Sequence, residues 1–426
     1  MQSLIQSREI IANFVDMSKI LVIGIGGAGR ETVKHMKDIG IPEADYITFG
    51  SYDDCDERKD IPHYNLQEMN GFDFIRPPRG TENIKYLAEN VEDNIREILE
   101  YHINDIDLPE EKNAKMVNDK IKGVIFGQAI GDALGLGTEF MTKKEVYRYY
   151  PNGLTYYDQI IQDYHRKRWA KGAWTDDTDM MLCIANAIIK DKDIKLSTIA
   201  QNFKEWFNGE PLGIGNNTFK VLSFKDYTDN PQKGAEIIWN LSGKKSAANG
   251  AVMRTSIVGL WNNDTEKYAT EICKLTHYDP RCVGSCVIIS LLINNQVYKN
   301  QMLSLEQIIE IGERYDSRIR EYLGQASQCE RIEDLVLDDS SMGYTLKTLA
   351  AAIWCLFHCS SFEEGLLAIV NAGGDADTNA AVACSLLGAR YGMSTIPQKY
   401  IDGLLNKTHL MKIADCISAL RLEQIL

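Results

Sequence analysis

The stretch Thr175-Asp176-Asp177-Thr178, inside GAWTDDTDMM, places two hydroxyls and two carboxylates directly before an apolar run from Met180 to Ile184. About two hundred residues later, NAGGDADTNAAVA repeats the arrangement, with Asp375, Asp377 and Thr378 ahead of a small, apolar segment. One use for such oxygens is local. Threonine and aspartate at a helix start accept hydrogen bonds from orphan N–H groups, and carboxylates suit the positive end of the helix dipole. The other use is to hold cations. If the two clusters faced one another, their carboxylates would repel unless positive ions lay between them. Hydroxyl and carboxylate oxygens are hard donors, and with no histidine or thiolate pair beside them they favour magnesium or manganese over zinc. Spacing alone leaves both uses open.

Further segments add to these two. GVIFGQAIGDALGLGTEF (123–140) contains Gly131-Asp132, Gly135 and Glu139, and glycines on a helical stretch imply close packing or close ligand approach rather than helix propensity. NGAVMR holds Asn249, Gly250 and Ala251 in a glycine turn that ends at Arg254, and THYDP carries His277. In this order the segments resemble the ADP-ribosylglycohydrolase family, whose pattern runs GDALGxxxE, TDDT, NGAxMR, THxxP and GGDxDTxAA. The resemblance implies an all-α orthogonal bundle with two Mg2+ (or Mn2+) ions at one mouth. It assigns Thr175, Asp176, Asp177, Asp375, Asp377 and Thr378 as metal ligands. It places Glu139 near the ribose, where negative charge would meet a ribosyl cation, and lets Asp177 or Asp377 take a proton from water. It also implies that Asn249, Gly250 and Ala251 face the phosphates, that Gly373 and Gly374 let the ribose approach the metals, and that His277 touches the ligand. The WTDDT form is most similar to bacterial enzymes that release ADP-ribose from arginine. Trp174 could stack on a ligand or simply pack.

Positioning these residues falls mostly to helices. From about Asn118 onward apolar residues recur at helical spacing, as in Ile121-Val124-Ile125-Ala129, Met181-Ile184-Ile188 and Leu349-Ile353-Leu356. The front of the chain differs. KILVIG, GIGGAG, RETVKHMKDIGI and DYITFG read as strand, glycine turn, helix and strand, with Asp53 beyond. This string resembles the opening of the bacterial tubulin homologue FtsZ, but the second phosphate loop of that family, GGGTGTG, is absent. The expected architecture is therefore mainly α: a helical extension (1–16), a small, truncated FtsZ/Rossmann-like α/β recognition domain (17–112), and the hydrolase bundle (113–426). Charged LPEEKNAKMVNDK (108–120) is the expected boundary, and residues 51–107 read as irregular until a helix-like IKYLAENVEDNIREILEYHI.

Bulk composition narrows the partners. A formal net charge of −14 argues against general nucleic-acid binding. No apolar run is long enough for a membrane span, and the start lacks a secretory leader. Scattered cysteines without CxxC pairs point to a reducing, cytoplasmic setting, with Cys355 and Cys359 as buried thiols. The resemblance implies an ADP-ribosylated protein as substrate, with FtsZ itself a candidate. It also allows a cognate ADP-ribosyltransferase toxin as partner, countered either by reversing its modification or, as a non-catalytic alternative, by plugging its active site with the front domain.

Overall fold

The computed structural model of the chain describes residues 20–25, 44–50, 63–65, 109–261 and 264–422, together with Val33 and Lys37. The chain divides into two compact units, Met1–Asn113 and Ala114–Leu426.

In the first unit, β1 (Ile20–Ile25) pairs in parallel with β2 (Ala44–Gly50), Ile20 lying opposite Ala44 and Ile25 opposite Phe49. A short third strand, β3 (His63–Asn65), adds in parallel to the far edge of β2. The first two strands lie where KILVIG and DYITFG, on either side of the glycine turn and helix-like segment, place them. The third falls in a segment that reads as irregular, because His-Tyr-Asn carries no apolar alternation to announce it. Gly26 to Gly29, Asp53, the extension 1–16 and the helix-like 84–103 lie outside the described residues.

The second unit is helical. Its principal helices are α1 (Pro109–Gly135), α2 (Asp176–Asp191), α3 (Leu196–Asn208), α4 (Pro280–Lys299), α5 (Thr345–His358), α6 (Phe362–Val370), α7 (Ala376–Tyr391) and α8 (Lys407–Leu422). The residues that set the apolar period are fully buried, among them Ile121, Val124, Ile125, Met181, Ile184 and Leu349. Residues 109–120 of the expected boundary, within which the two units divide, form the opening turns of α1. Proline at the first helical position and glutamates just after it are good helix starters. Cys355 and Cys359 are buried free thiols, as expected. Among the described residues no helix is long and apolar enough to cross a membrane.

One contact sets the geometry of the unit. Gly123, Gly127, Gly131 and Gly135 recur every four residues and form one stripe along α1. Methyl groups added there would stand 2.4 Å from the Gly388 carbonyl oxygen, 2.3 Å from that of Cys384, 2.2 Å from that of Ala380 and 2.5 Å from that of Ala376. The partners descend as the glycines ascend, so α1 and α7 run antiparallel with main chain against main chain. Of the two uses the sequence allows for these glycines, the structure shows close packing. This seam brings the end of α1, with Asp132, beside the start of α7, with Asp375 and Asp377.

Candidate metal centre

The helix-cap use of the oxygen clusters fails on inspection. Thr175 stands at the N-cap of α2 and Asp375 at that of α7, and neither side chain makes a capping hydrogen bond. The orphan donors of α2 are satisfied from another helix. Asp132, fully buried on α1, accepts from the backbone N–H of Thr175 at 2.9 Å, from that of Thr178 at 3.0 Å and from the Thr178 hydroxyl at 2.6 Å. Asp132 is thus a buckle between α1 and the mouth of α2. The motif GDALG contains it, but nothing local to the sequence reveals its partners.

Freed from capping, the two clusters converge. Carboxylate oxygens of Asp132, Asp177 and Asp377 lie within 4.8 Å of one another, as do those of Glu139, Asp375 and Asp377. Because both oxygens of Asp132 are engaged by donors, Asp177 and Asp377 are the members of the first group left to bind something else. Oδ1 of Asp177 and Oδ1 of Asp377 are buried and have no hydrogen-bond partner among the described residues. Buried polar atoms are rarely left so. Oxygen-only donors, anionic and unsatisfied, fit divalent cations such as magnesium or manganese. Thr175 directs its hydroxyl at Asp177 Oδ2, 3.2 Å away, and Thr378 hydrogen-bonds Asp177 from the opposite cluster. Asp176 belongs to neither group; it is half-buried and lines a neighbouring cavity.

Burial, reinforced by crowding, weakens the acidity of these groups. Loss of solvation raises Asp177 and Asp377 well above the carboxylate range, and neighbouring carboxylates add to it: Asp132, Asp176 and Asp375 for Asp177, and Glu139, Asp177 and Asp375 for Asp377. Burial and then Glu139 lift Asp176 to about 7 and Asp375 to about 6, while burial lifts Asp132 to about 7. Carboxyls whose pKa is raised by folding stabilise the native state at low pH and lose that contribution as pH passes their folded pKa. Protein kept in chelator is therefore expected to melt about 5 °C or more lower at pH 8 than at pH 5, with magnesium removing the difference. A melting temperature that is flat across this range in chelator would contradict the crowded-carboxylate picture.

Glu139 is buried at the turn after α1 and held from outside. His165 Nε2 lies 2.6 Å from Glu139 Oε2, and Arg168 Nη2 lies 2.6 Å from His165 Nδ1. Arginine only donates, so Nδ1 accepts and the ring proton sits on Nε2, facing the carboxylate. Arg166 fixes the turn itself through the carbonyls of Leu136, Gly137 and Glu139. Neither His165 nor Arg166 is singled out by sequence reasoning, since their partners lie far along the chain and no motif joins them.

Several of the residues expected against phosphate and ribose already have partners within the protein. The backbone N–H of Asn249 donates to the Gly343 carbonyl at 3.0 Å and is not available to a phosphate. Its side-chain amide donates to Asp375 Oδ2 at 2.6 Å and to Thr348 Oγ1 at 3.0 Å, so Asn249 orients a cluster carboxylate. Gly250 and Ala251 are buried, with His277 packed against Gly250. Burial and the Arg254 guanidinium lower His277 to about 3, so the ring is neutral. The Thr276 hydroxyl accepts from Arg254 at 2.6 Å and lies 2.8 Å from His277 Nδ1, to which it can donate. That leaves the proton on Nε2, a buried donor without a partner among the described residues. Gly373 and Gly374 have φ of 74° and 73°. Methyl groups there would meet the Met141 carbonyl oxygen at 2.5 Å and that of Leu337 at 2.2 Å, so backbone shape and packing already require glycine. Trp174 is anchored, its Nε1 donating to Asp179 at 2.8 Å.

A family profile described as ADP-ribosylglycohydrolase matches residues 113–425. The chain is 26% identical over 325 residues to the ADP-ribosylarginine hydrolase Tri1 of Serratia proteamaculans, covering 70% of this chain and 78% of that protein. It is 26% identical over 301 residues to the ADP-ribosyl-[dinitrogen reductase] glycohydrolase of Rhodospirillum rubrum, covering 68% of this chain and 91% of that one. A solved structure titled ADP-ribosylglycohydrolase-related protein complex matches the fold with a TM-score of 0.57 at 24% identity, over 72% of this chain and 99% of that chain. With the profile spanning the whole helical unit and its motifs converging on one acidic centre, the chain belongs to the ADP-ribosylglycohydrolase family.

Proposed function

We propose that the chain is a metal-dependent hydrolase that removes ADP-ribose from arginine side chains of proteins. The observation that carries this reading is the pair of buried, unpartnered carboxylate oxygens, Asp177 Oδ1 and Asp377 Oδ1, at two facing helix starts. Thr175, Asp176, Asp177, Asp375, Asp377 and Thr378 would hold two magnesium or manganese ions. Bound there, the ions would supply orientation of the ribose hydroxyls and a more acidic water. Glu139 offers negative charge where the ribose becomes cationic, and His165 keeps its carboxylate aimed. Asp177 or Asp377 accepts the proton that the water gives up. The His277 Nε2–H is a ready donor to a phosphate oxygen, close to Gly250 and Ala251.

The test is release of ADP-ribose by the full chain from arginine-linked and serine-linked substrates, in chelator and after adding magnesium, manganese or zinc. Magnesium or manganese should restore arginine-linked turnover, and zinc should restore it poorly. Glu139→Gln is expected to lower kcat about a hundredfold with little change in ADP-ribose affinity, since its charge matters most in the transition state. Turnover indifferent to chelator would remove the reading.

A second reading concerns the front unit and rests on the resemblance of its sequence to FtsZ: a surface there engages a transferase toxin or its target. On that reading the full chain carrying Asp375→Ala still binds the transferase while failing to release ADP-ribose. Absence of binding would leave the front unit without this role.

A further inference from the structure

A cavity of about 210 Å3 opens beside the start of α2, and its walls include Trp169, Trp174, Thr175, Asp176, Asp179 and Gly213. It shares Thr175 and Asp176 with the oxygen row of the candidate metal centre, so an occupant would lie next to whatever that centre holds. Its volume is below the range of pockets that enclose a drug-sized ligand, which suits a side chain rather than a nucleotide.

The charges on its walls are of one sign. Asp176 and Asp179 are carboxylates, and among the described residues no lysine or arginine lines the cavity. A phosphate would be repelled there. Asp179 accepts from Trp174 Nε1 at 2.8 Å and from Trp206 Nε1 at 3.2 Å, which spends both indole donors and gives it no cationic partner. Trp169 already carries a guanidinium: the Arg168 group lies 4.4 Å from its ring centroid, and Arg168 also holds the Leu212 carbonyl at the rim. Aromatic faces with nearby carboxylates are the surroundings in which a planar cation gains most.

Gly213 keeps the space open. A methyl group there would stand 2.7 Å from Asp176 Oδ1 and 3.2 Å from Trp169 Cζ2, intruding on the acidic and aromatic walls together.

We propose that this cavity is the leaving-group subsite and takes the guanidinium of the arginine that is being released. The assignment rests on the hydrolase reading for its role and on the walls for its chemistry. In the reaction, the bond between the anomeric carbon and the guanidinium nitrogen breaks, and its electron pair stays on nitrogen. The water oxygen bonds to the anomeric carbon, and nitrogen takes up the proton that the water releases. Guanidinium enters and leaves as a cation, so the acidic walls suit substrate and product alike.

The test uses the full chain, wild type and Gly213→Val, with thermal melts as the folding control. Agmatine, a guanidinium without a carboxylate, should give a saturable change in tryptophan fluorescence with wild type and bind about tenfold or more weaker to Gly213→Val. With magnesium present, Gly213→Val should lower kcat/KM for arginine-linked ADP-ribose about fiftyfold, and Asp179→Asn should lower it in the same direction while leaving ADP-ribose affinity within about twofold. Asp179→Asn should weaken agmatine in the same direction. No saturable response in wild type, or equal responses in wild type and Gly213→Val, would overturn the subsite. A wild-type chain that binds agmatine but cleaves neither linkage would overturn the hydrolase reading and keep the guanidinium site.

Discussion

Asp377→Ala is expected to reduce release of ADP-ribose by about a thousandfold or more, the scale of the several kcal/mol that metal ions supply to such reactions. Its carboxylate belongs to both groups of converging oxygens, and one of its atoms has no partner in the protein. Stability should move the other way. Removing a buried carboxyl from beside Glu139, Asp177 and Asp375 relieves its desolvation and their crowding, so the variant in chelator should melt no lower than wild type at pH 8. Asp177→Ala should behave alike. A variant that is inactive because it is unfolded would fail the second part of this expectation, and near wild-type turnover in both variants would remove the metal centre.

The second large effect lies in the seam. Gly131→Val is expected to destabilise the helical unit by on the order of 3 kcal/mol, because the added atoms have only main chain to displace. Even the first of them would sit 2.2 Å from the Ala380 carbonyl oxygen and 2.5 Å from its carbon. Activity should fall as well, since Asp132 is the next residue and ties α1 to α2. Gly324 supplies the contrast. It lies within the helix Arg318–Gln328 with nothing near the position of an added methyl. Gly324→Ala should therefore gain roughly 0.5–1 kcal/mol through helix propensity. Denaturant titrations of both variants separate packing from propensity.

These contrasts mark how far the sequence could be read. The starts of α2 and α7 were legible because acidic and hydroxyl residues stand immediately before apolar periodicity, and β1 and β2 because apolar runs flank a glycine turn. That the clusters meet was legible only through family resemblance, since no local pattern encodes a contact between Asp177 and Thr378. Asp132, His165 and the Asp179 pairing with Trp174 and Trp206 were missed as partners for the same physical reason: each depends on an approach that tertiary packing alone creates. The hydrogen bonds of Asn249 were hidden for a related reason: whether its N–H is free depends on a carbonyl, Gly343, almost a hundred residues away. The glycines of α1 carried the right signal, and antiparallel α7 shows what it meant.

The separation of the two oxygen clusters along the chain also orders events during synthesis. Asp177 leaves the ribosome 200 residues before Asp377 (377 − 177), and the seam that presents the second cluster to the first needs α7 complete. At translation rates of about 5–20 residues per second, the early cluster waits roughly 10–40 s for its counterpart. During that interval Thr175, Asp176 and Asp177 have no opposite cluster to face, and a chain truncated before residue 375 never presents one.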